Sequence, residues 1–223
     1  MTIAFQETPV WSAADDIDCV RVLAGPEAFD AINQPDCPAA IWARKPLANF
    51  QSWIDCLSSH HLPEGRVILR PDATSQAVLE LCEIAQMPEA PERDVFVNDV
   101  STLADLFSKT MDAPFLRLRL EAVKDNGCPK FHTDTLSARL VCTYRGRGTE
   151  YGFSVDGDEP RDIFQVPTGS PILMRGKLWP ETPISGFKHR SPPIEGIGQT
   201  RLVLALDTVS NPDDEVWIPS VVN

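Results

Sequence analysis

A chain of 223 residues with 43% hydrophobic content is long enough to bury a full core, and its length suits one compact domain. A net charge of −12 excludes a phosphate backbone as a natural partner, because nucleic-acid contact is built from basic surface. No run approaches the roughly 18 apolar residues of a membrane span, and Met1 to Val10 lack the basic start and apolar run of a signal peptide. Cys19, Cys37, Cys56, Cys82, Cys128 and Cys142 are scattered singly, with no CxxC pair. They read as reduced, mostly buried thiols rather than a disulfide frame or zinc knuckle. The expectation is a soluble cytoplasmic protein with no nucleic-acid or membrane partner.

Residues 1–40 are polar and acidic, broken by Gly25-Pro26, Pro35 and Pro38, with one short helix expected at Pro26 to Ile32. From Leu47 to Leu57 the apolar residues Leu47, Phe50, Trp53, Ile54 and Leu57 recur at helical spacing. His60 and His61 follow at the end of that helix, where the negative end of the dipole explains a histidine without a functional role. A second helix fits Ser75 to Met87, striped by Ala77, Val78, Leu81, Ile84 and Ala85 and stopped by Pro88. The third fits Val100 to Met111, with Asp99 or Ser101 as its cap and Pro91 in the connection before it. Residues 1–114 therefore read as a mainly helical layer whose apolar stripes need a surface to cover.

After Pro114 the period changes to two. Leu116, Leu118 and Leu120 alternate with Arg117, Arg119 and Glu121, the pattern of a strand with one apolar face. Further strands are expected at Ala138 to Tyr144, Glu150 to Val155, Ile163 to Val166, Ile172 to Arg175, around His189, and at Arg201 to Asp207. Gly and Pro turns at this spacing indicate an all-β sandwich or barrel, giving an α+β chain in which residues 115–209 are the β core. Residues 210–223 form a C-terminal tail.

Charge is uneven along the chain. Residues 1–114 carry 7 basic and 18 acidic side chains, whereas residues 115–201 carry 13 and 10. That segment favours a small anionic ligand.

The same segment holds the candidate chemistry. In an extended stretch His132 and Asp134 fall on one side, about 6.6 Å apart at the backbone. With His189 they supply two imidazoles and a carboxylate, a set that occupies one face of an octahedral metal and leaves three positions open. Arg201 follows His189 by twelve residues; from the start of the last strand its guanidinium can hold a carboxylate by two parallel hydrogen bonds. Other readings stay open. A thiolate from Cys128 or Cys142 would turn the preference towards zinc, the same three side chains could serve metal handling or sensing without catalysis, and a metal-free scaffold could use its helices for protein interaction. Arg117 and Arg119 face either solvent or the cavity. Tyr144 and Tyr151 read as core or rim.

In these residues the chain resembles the 2-oxoglutarate- and iron(II)-dependent dioxygenases, whose pattern is His-x-Asp, then His some fifty or more residues on, then Arg or Lys about ten to fourteen residues later. Leu118-Arg119-Leu120, Gly148-Thr149-Glu150, Thr168 to Met174 and His189-Arg190-Ser191-Pro192-Pro193 resemble successive strands and turns of the prolyl-hydroxylase-like branch. Thr149 stands where that branch has the second Gly of a Gly-Gly-Glu element. The resemblance covers residues 115–207; the whole chain also resembles a bacterial domain family of unknown function. It implies a double-stranded β-helix, a cupin-like jelly-roll barrel, covered by the N-terminal helices. It further implies iron(II) on His132, Asp134 and His189, and 2-oxoglutarate as cosubstrate with its distal carboxylate on Arg201. Arg139, five residues after Asp134, reads either as a second cosubstrate contact or as a surface ion pair. A small molecule or a protein side chain would be oxidised.

Overall fold

The computed structural model describes residues 5–7, 20–154, 158–180 and 186–212. The strands in chain order are β1 (Phe5–Glu7), β2 (Arg21–Leu23), β3 (Ala39–Trp42), β4 (Arg44–Pro46), β5 (Gly65–Leu69), β6 (Phe115–Val123), β7 (Ala138–Arg145), β8 (Glu150–Phe153), β9 (Phe164–Gln165), β10 (Pro171–Arg175), β11 (Phe187–Arg190) and β12 (Arg201–Val209). Three α-helices lie before β6: α1 (Ala48–Cys56), α2 (Thr74–Ile84) and α3 (Pro91–Met111). The helix expected at Pro26 is a 3-10 helix, Pro26–Asn33.

Seven strands form one sheet in the order β2-β3-β10-β7-β12-β6-β5, and three form a second in the order β11-β8-β9. Every pairing in the large sheet is antiparallel except β2 with β3. The period-two pattern of β6 and β12 sets its two faces. Leu116, Leu118 and Leu120 with Leu202, Leu204 and Leu206 pack into one core together with Phe50 and Ile54 of α1, Val78 of α2, and Phe96, Val100, Leu103 and Phe107 of α3. Each such side chain contributes roughly 1.5–3 kcal/mol on burial, so this layer carries most of the stability. On the opposite face Ile41, Val141, Ile172, Met174 and Ala205 form a smaller core under Tyr151, Val166 and Phe187 of the small-sheet side. The large sheet thus lies between helices and a second sheet, and no pairing among the described residues closes the two sheets into a barrel.

Two expectations need correction. The region before residue 115 is not only a covering layer, since β2 and β3 extend one edge of the large sheet and β5 the other. These strands have only 3–5 residues, too short for alternation to register. Helix α3 begins at Pro91 rather than Val100. Pro91 takes the first turn with Glu92 and Asp94, where a missing N–H and negative charge are both favourable. Asp99 is not its cap but a buried member of its interior. Its two oxygens accept from Arg44 Nη1 and Nη2 at 2.8 Å each, and Oδ2 accepts from the Tyr144 hydroxyl at 2.6 Å. Arg44 Nε also donates to the Gly169 carbonyl at 2.7 Å, so one buried network ties β4, α3, β7 and the turn before β10. No helix of the described residues is long and apolar enough to cross a membrane. The tail beyond residue 212 and Val155 lie outside the described residues.

Candidate metal centre

His132 precedes β7 in an irregular segment, yet it is fixed by an isolated antiparallel bridge to His189 of β11. The two residues exchange both backbone hydrogen bonds, His132 N to His189 O at 3.0 Å and His189 N to His132 O at 2.9 Å. Directly opposed residues of an antiparallel pair place their side chains on one side, and the ring centroids are 4.6 Å apart. Asp134 joins them from the same side by the period of two. Its position is held through the backbone: Thr133 Oγ1 donates to the Phe187 carbonyl at 2.9 Å, and Lys177 N donates to the Asp134 carbonyl at 2.8 Å. Gly176 lies so close that a Cβ there would run into the Leu136 carbonyl.

The three side chains each present a ligand atom, all within 4.8 Å of one another. His189 Nε2 is 3.2 Å from Asp134 Oδ2, and His132 Nε2 is 3.7 Å from Asp134 Oδ1. Neighbouring ligands at about 2.1 Å from one metal stand roughly 3 Å apart, and the cluster is close to that spacing, with His132 the most exposed of the three. The donor set fits a divalent metal in a further respect. Placing its proton on Nδ1 lets His132 donate to the Lys130 carbonyl at 2.8 Å and leaves the Nε2 lone pair for a metal. Asp134 Oδ2 is buried without a hydrogen-bond donor. Burial alone would raise the Asp134 carboxyl, but the close approach of His189, with the charge of Arg139 and His132, brings it down to about 2. Burial pushes His189 below its usual range despite Asp134, so both are in the ligating form at neutral pH.

Arg139 of β7 sits behind the cluster. Its Nη1 donates to Asp134 Oδ1 at 2.6 Å, while Nε and Nη2 donate to Asp207 at 2.6 and 3.0 Å. Asp207 was not singled out in the sequence, although it alternates in phase with Arg201, Val203 and Ala205 on β12. Arg201 is 1% exposed at the start of that strand, on the face towards the small sheet. Its Nε donates to the Arg147 carbonyl at 2.6 Å and its Nη2 approaches Thr143 Oγ1 at 3.4 Å. It has no ion pair among the described residues. Glu150 attracts it without forming an ion pair, accepting hydrogen bonds from Arg147 Nη2 at 3.0 Å and Arg190 Nε at 2.8 Å. Burial pulls the Arg201 guanidinium down to about 10, leaving it charged at neutral pH. Between Arg201 and Asp207 the floor is formed by Val203 and Ala205 of β12 and by Val141 and Thr143 of β7.

The other sequence candidates separate. Tyr151 lies opposite His189 in the β8–β11 ladder. Tyr144 and Cys142 are on the helical face, Cys128 is exposed, and the His60 and His61 rings lie tilted against each other with centroids 4.2 Å apart beyond α1. Arg117 and Arg119 are on the face that carries Asp207, not the helical one.

A family model described as "Protein of unknown function (DUF1826)" matches residues 24–207. No curated protein sequence is similar to this chain. Similar solved structures include a dioxygenase for auxin oxidation from Arabidopsis thaliana in complex with 2-oxoglutarate, 13% identical, covering 92% of this chain and 97% of that one with a TM-score of 0.49. A dioxygenase for auxin oxidation in rice is 13% identical over 91% and 86% of the two chains, TM-score 0.47. An oxidoreductase of the 2OG-Fe(II) oxygenase family from Burkholderia pseudomallei is 12% identical over 89% and 99%, TM-score 0.42.

Proposed function

Because the chain belongs to the DUF1826 family, whose function is unknown, its activity has to come from its own site, and we propose that it is a non-haem iron(II)- and 2-oxoglutarate-dependent oxygenase. The stacked large and small sheets are then the two halves of a double-stranded β-helix. His132, Asp134 and His189 hold the iron. The observation that carries the reading is Arg201, a charged guanidinium 1% exposed with no carboxylate in ion-pair contact among the described residues. A buried cation left in this state is costly, and a carboxylate on a ligand removes the cost. A site that only stores or senses a metal has no need of it.

When bound, the iron supplies open positions at which a keto acid and dioxygen are brought together for oxidative decarboxylation. The chain supplies the rest. Arg201 fixes the distal carboxylate of the cosubstrate, and Thr143 offers a hydroxyl beside it. Val203, Ala205 and Val141 make the sheet between clamp and cluster apolar. Arg139 and the Lys130 carbonyl hold Asp134 and His132 in the ligating orientation. The substrate is a small molecule or a protein side chain. The test is release of succinate from 2-oxoglutarate by the iron-loaded chain in air. It should occur at a slow basal rate without substrate and be lost in His189→Ala; no succinate from iron-loaded protein would contradict the reading.

A further inference from the structure

Beyond the cluster, the face of the large sheet that carries Asp207 runs outward across β12, β6 and β5 as a row of arginines. Arg139 and Arg117 flank Asp207, with Arg117 Nη1 at 3.3 Å from Asp207 Oδ2. One pleat further along β6, Arg119 lies directly opposite Arg66 of β5. Directly opposed side chains in an antiparallel ladder have Cβ atoms about 5 Å apart, and like charges there are destabilising. Little in the described residues relieves this pair. Arg66 is exposed, with no hydrogen bond or ion pair among them. Arg119 has one ion pair, Nη1 to Glu121 Oε1, long at 3.6 Å, and the Glu121 side chain is 52% exposed. Its Nε is buried with no acceptor. Ile68, opposite Arg117, gives the same face some apolar ground.

From this juxtaposition we infer that Arg66 and Arg119 form an oxyanion site for the substrate, so that the molecule oxidised carries a carboxylate or phosphate head group. The Nε edge of Arg119 presents one donor of a bidentate fork, and Arg66 faces it from the neighbouring strand. An anion between them converts a like-charge pair into a bridged one. The pair is linked to the metal centre on the same face of the sheet through Arg117, Asp207, Arg139 and Asp134. That the anion belongs to the substrate rests on the oxygenase reading; the anion site itself does not.

The test uses the full chain freed of metal by chelation, so that no metal can hold the probe. Benzoate, phenyl phosphate and neutral benzamide share one ring and differ in head group; their affinities are measured by ligand-observed NMR at fixed ionic strength. At least one anion should bind about tenfold more tightly than benzamide. Which of the two does so distinguishes a carboxylate from a phosphate substrate. Arg66→Ala, at an exposed position, and Arg119→Gln should each weaken that anion about fivefold or more. Equal binding of benzamide, no binding of either anion, or anion affinity unchanged in both arginine variants would overturn the inference. Succinate release by the iron-loaded chain tests the oxygenase reading separately, so either can fail without the other.

Discussion

Arg139 joins the carboxylate of Asp134 to that of Asp207, donating to the first through Nη1 at 2.6 Å and to the second through Nε at 2.6 Å. A metal ligand on a flexible side chain is useful only if its orientation is fixed in advance, and this guanidinium fixes it from behind. Removing it should leave Asp134 in place but free to turn. Arg139→Ala is therefore expected to weaken metal affinity by about 10–100-fold, and Arg139→Lys to rescue little, because an ammonium cannot bridge two carboxylates in a plane. Competition titration of cobalt(II) against a chelator measures both.

The metal-free chain should lose stability on acidification in a way traceable to Asp134. Its carboxyl is held at about 2 in the folded protein against an ordinary 3.8. A depressed carboxyl stabilises the fold above its unfolded value, and the contribution disappears as pH falls towards the folded one. The expected loss between pH 5 and pH 2 is about 2 kcal/mol from this group, and Asp134→Asn should flatten that limb. Urea midpoints across the range would show it; identical acid limbs in the two proteins would remove Asp134 from the account.

The Arg44–Asp99–Tyr144 network predicts a contrast between two kinds of substitution. Asp99→Ala leaves the Arg44 guanidinium, 2% exposed, without its counter-ion and should cost about 3–5 kcal/mol. Tyr144→Phe removes one hydroxyl and should cost about 1–2 kcal/mol. Replacing both Arg44 and Asp99 with apolar residues should cost less than Asp99→Ala alone, since no charge is then stranded. Thermal or urea unfolding of the three variants orders them.

Thiol labelling of the folded chain should divide the cysteines by position. Cys56 and Cys128 are exposed and should be alkylated quickly by iodoacetamide. Cys82 and Cys142 are buried, and burial pushes each thiol up to about 12; Cys37 is buried and raised in the same way. These three should react only on unfolding. Mass spectrometry of a short labelling pulse reads the pattern directly.

How much of this was legible in the sequence depends on the range of the interaction. The leucine alternation of β6, the stripes of α1 and α2 and the order His132, Asp134, His189, Arg201 are local or ordinal signals, and each was readable. Helix α3 was read nine residues short because Asp99 resembles a cap; only the fold reveals that Arg44, 55 residues away, neutralises it inside the helix. Strands β2, β3 and β5 are too short to show a period; β5 is templated by the nine-residue β6, and β3 joins the sheet through β10. The backbone bridge between His132 and His189 brings together residues 57 positions apart and has no sequence signature. Of the two readings of Arg139, the ion pair is the one formed: its Nε and both Nη groups donate to Asp134 and Asp207, a pairing set by the β7–β12 register.

The most direct test of the central claim is the visible spectrum of the protein loaded anaerobically with iron(II) and then titrated with 2-oxoglutarate. Chelation of the keto acid at iron held by His132, Asp134 and His189 should produce a weak metal-to-ligand band, with half-saturation shifted at least about tenfold upward in Arg201→Ala. No band in the unaltered chain, or a band whose titration is the same in Arg201→Ala, would contradict it.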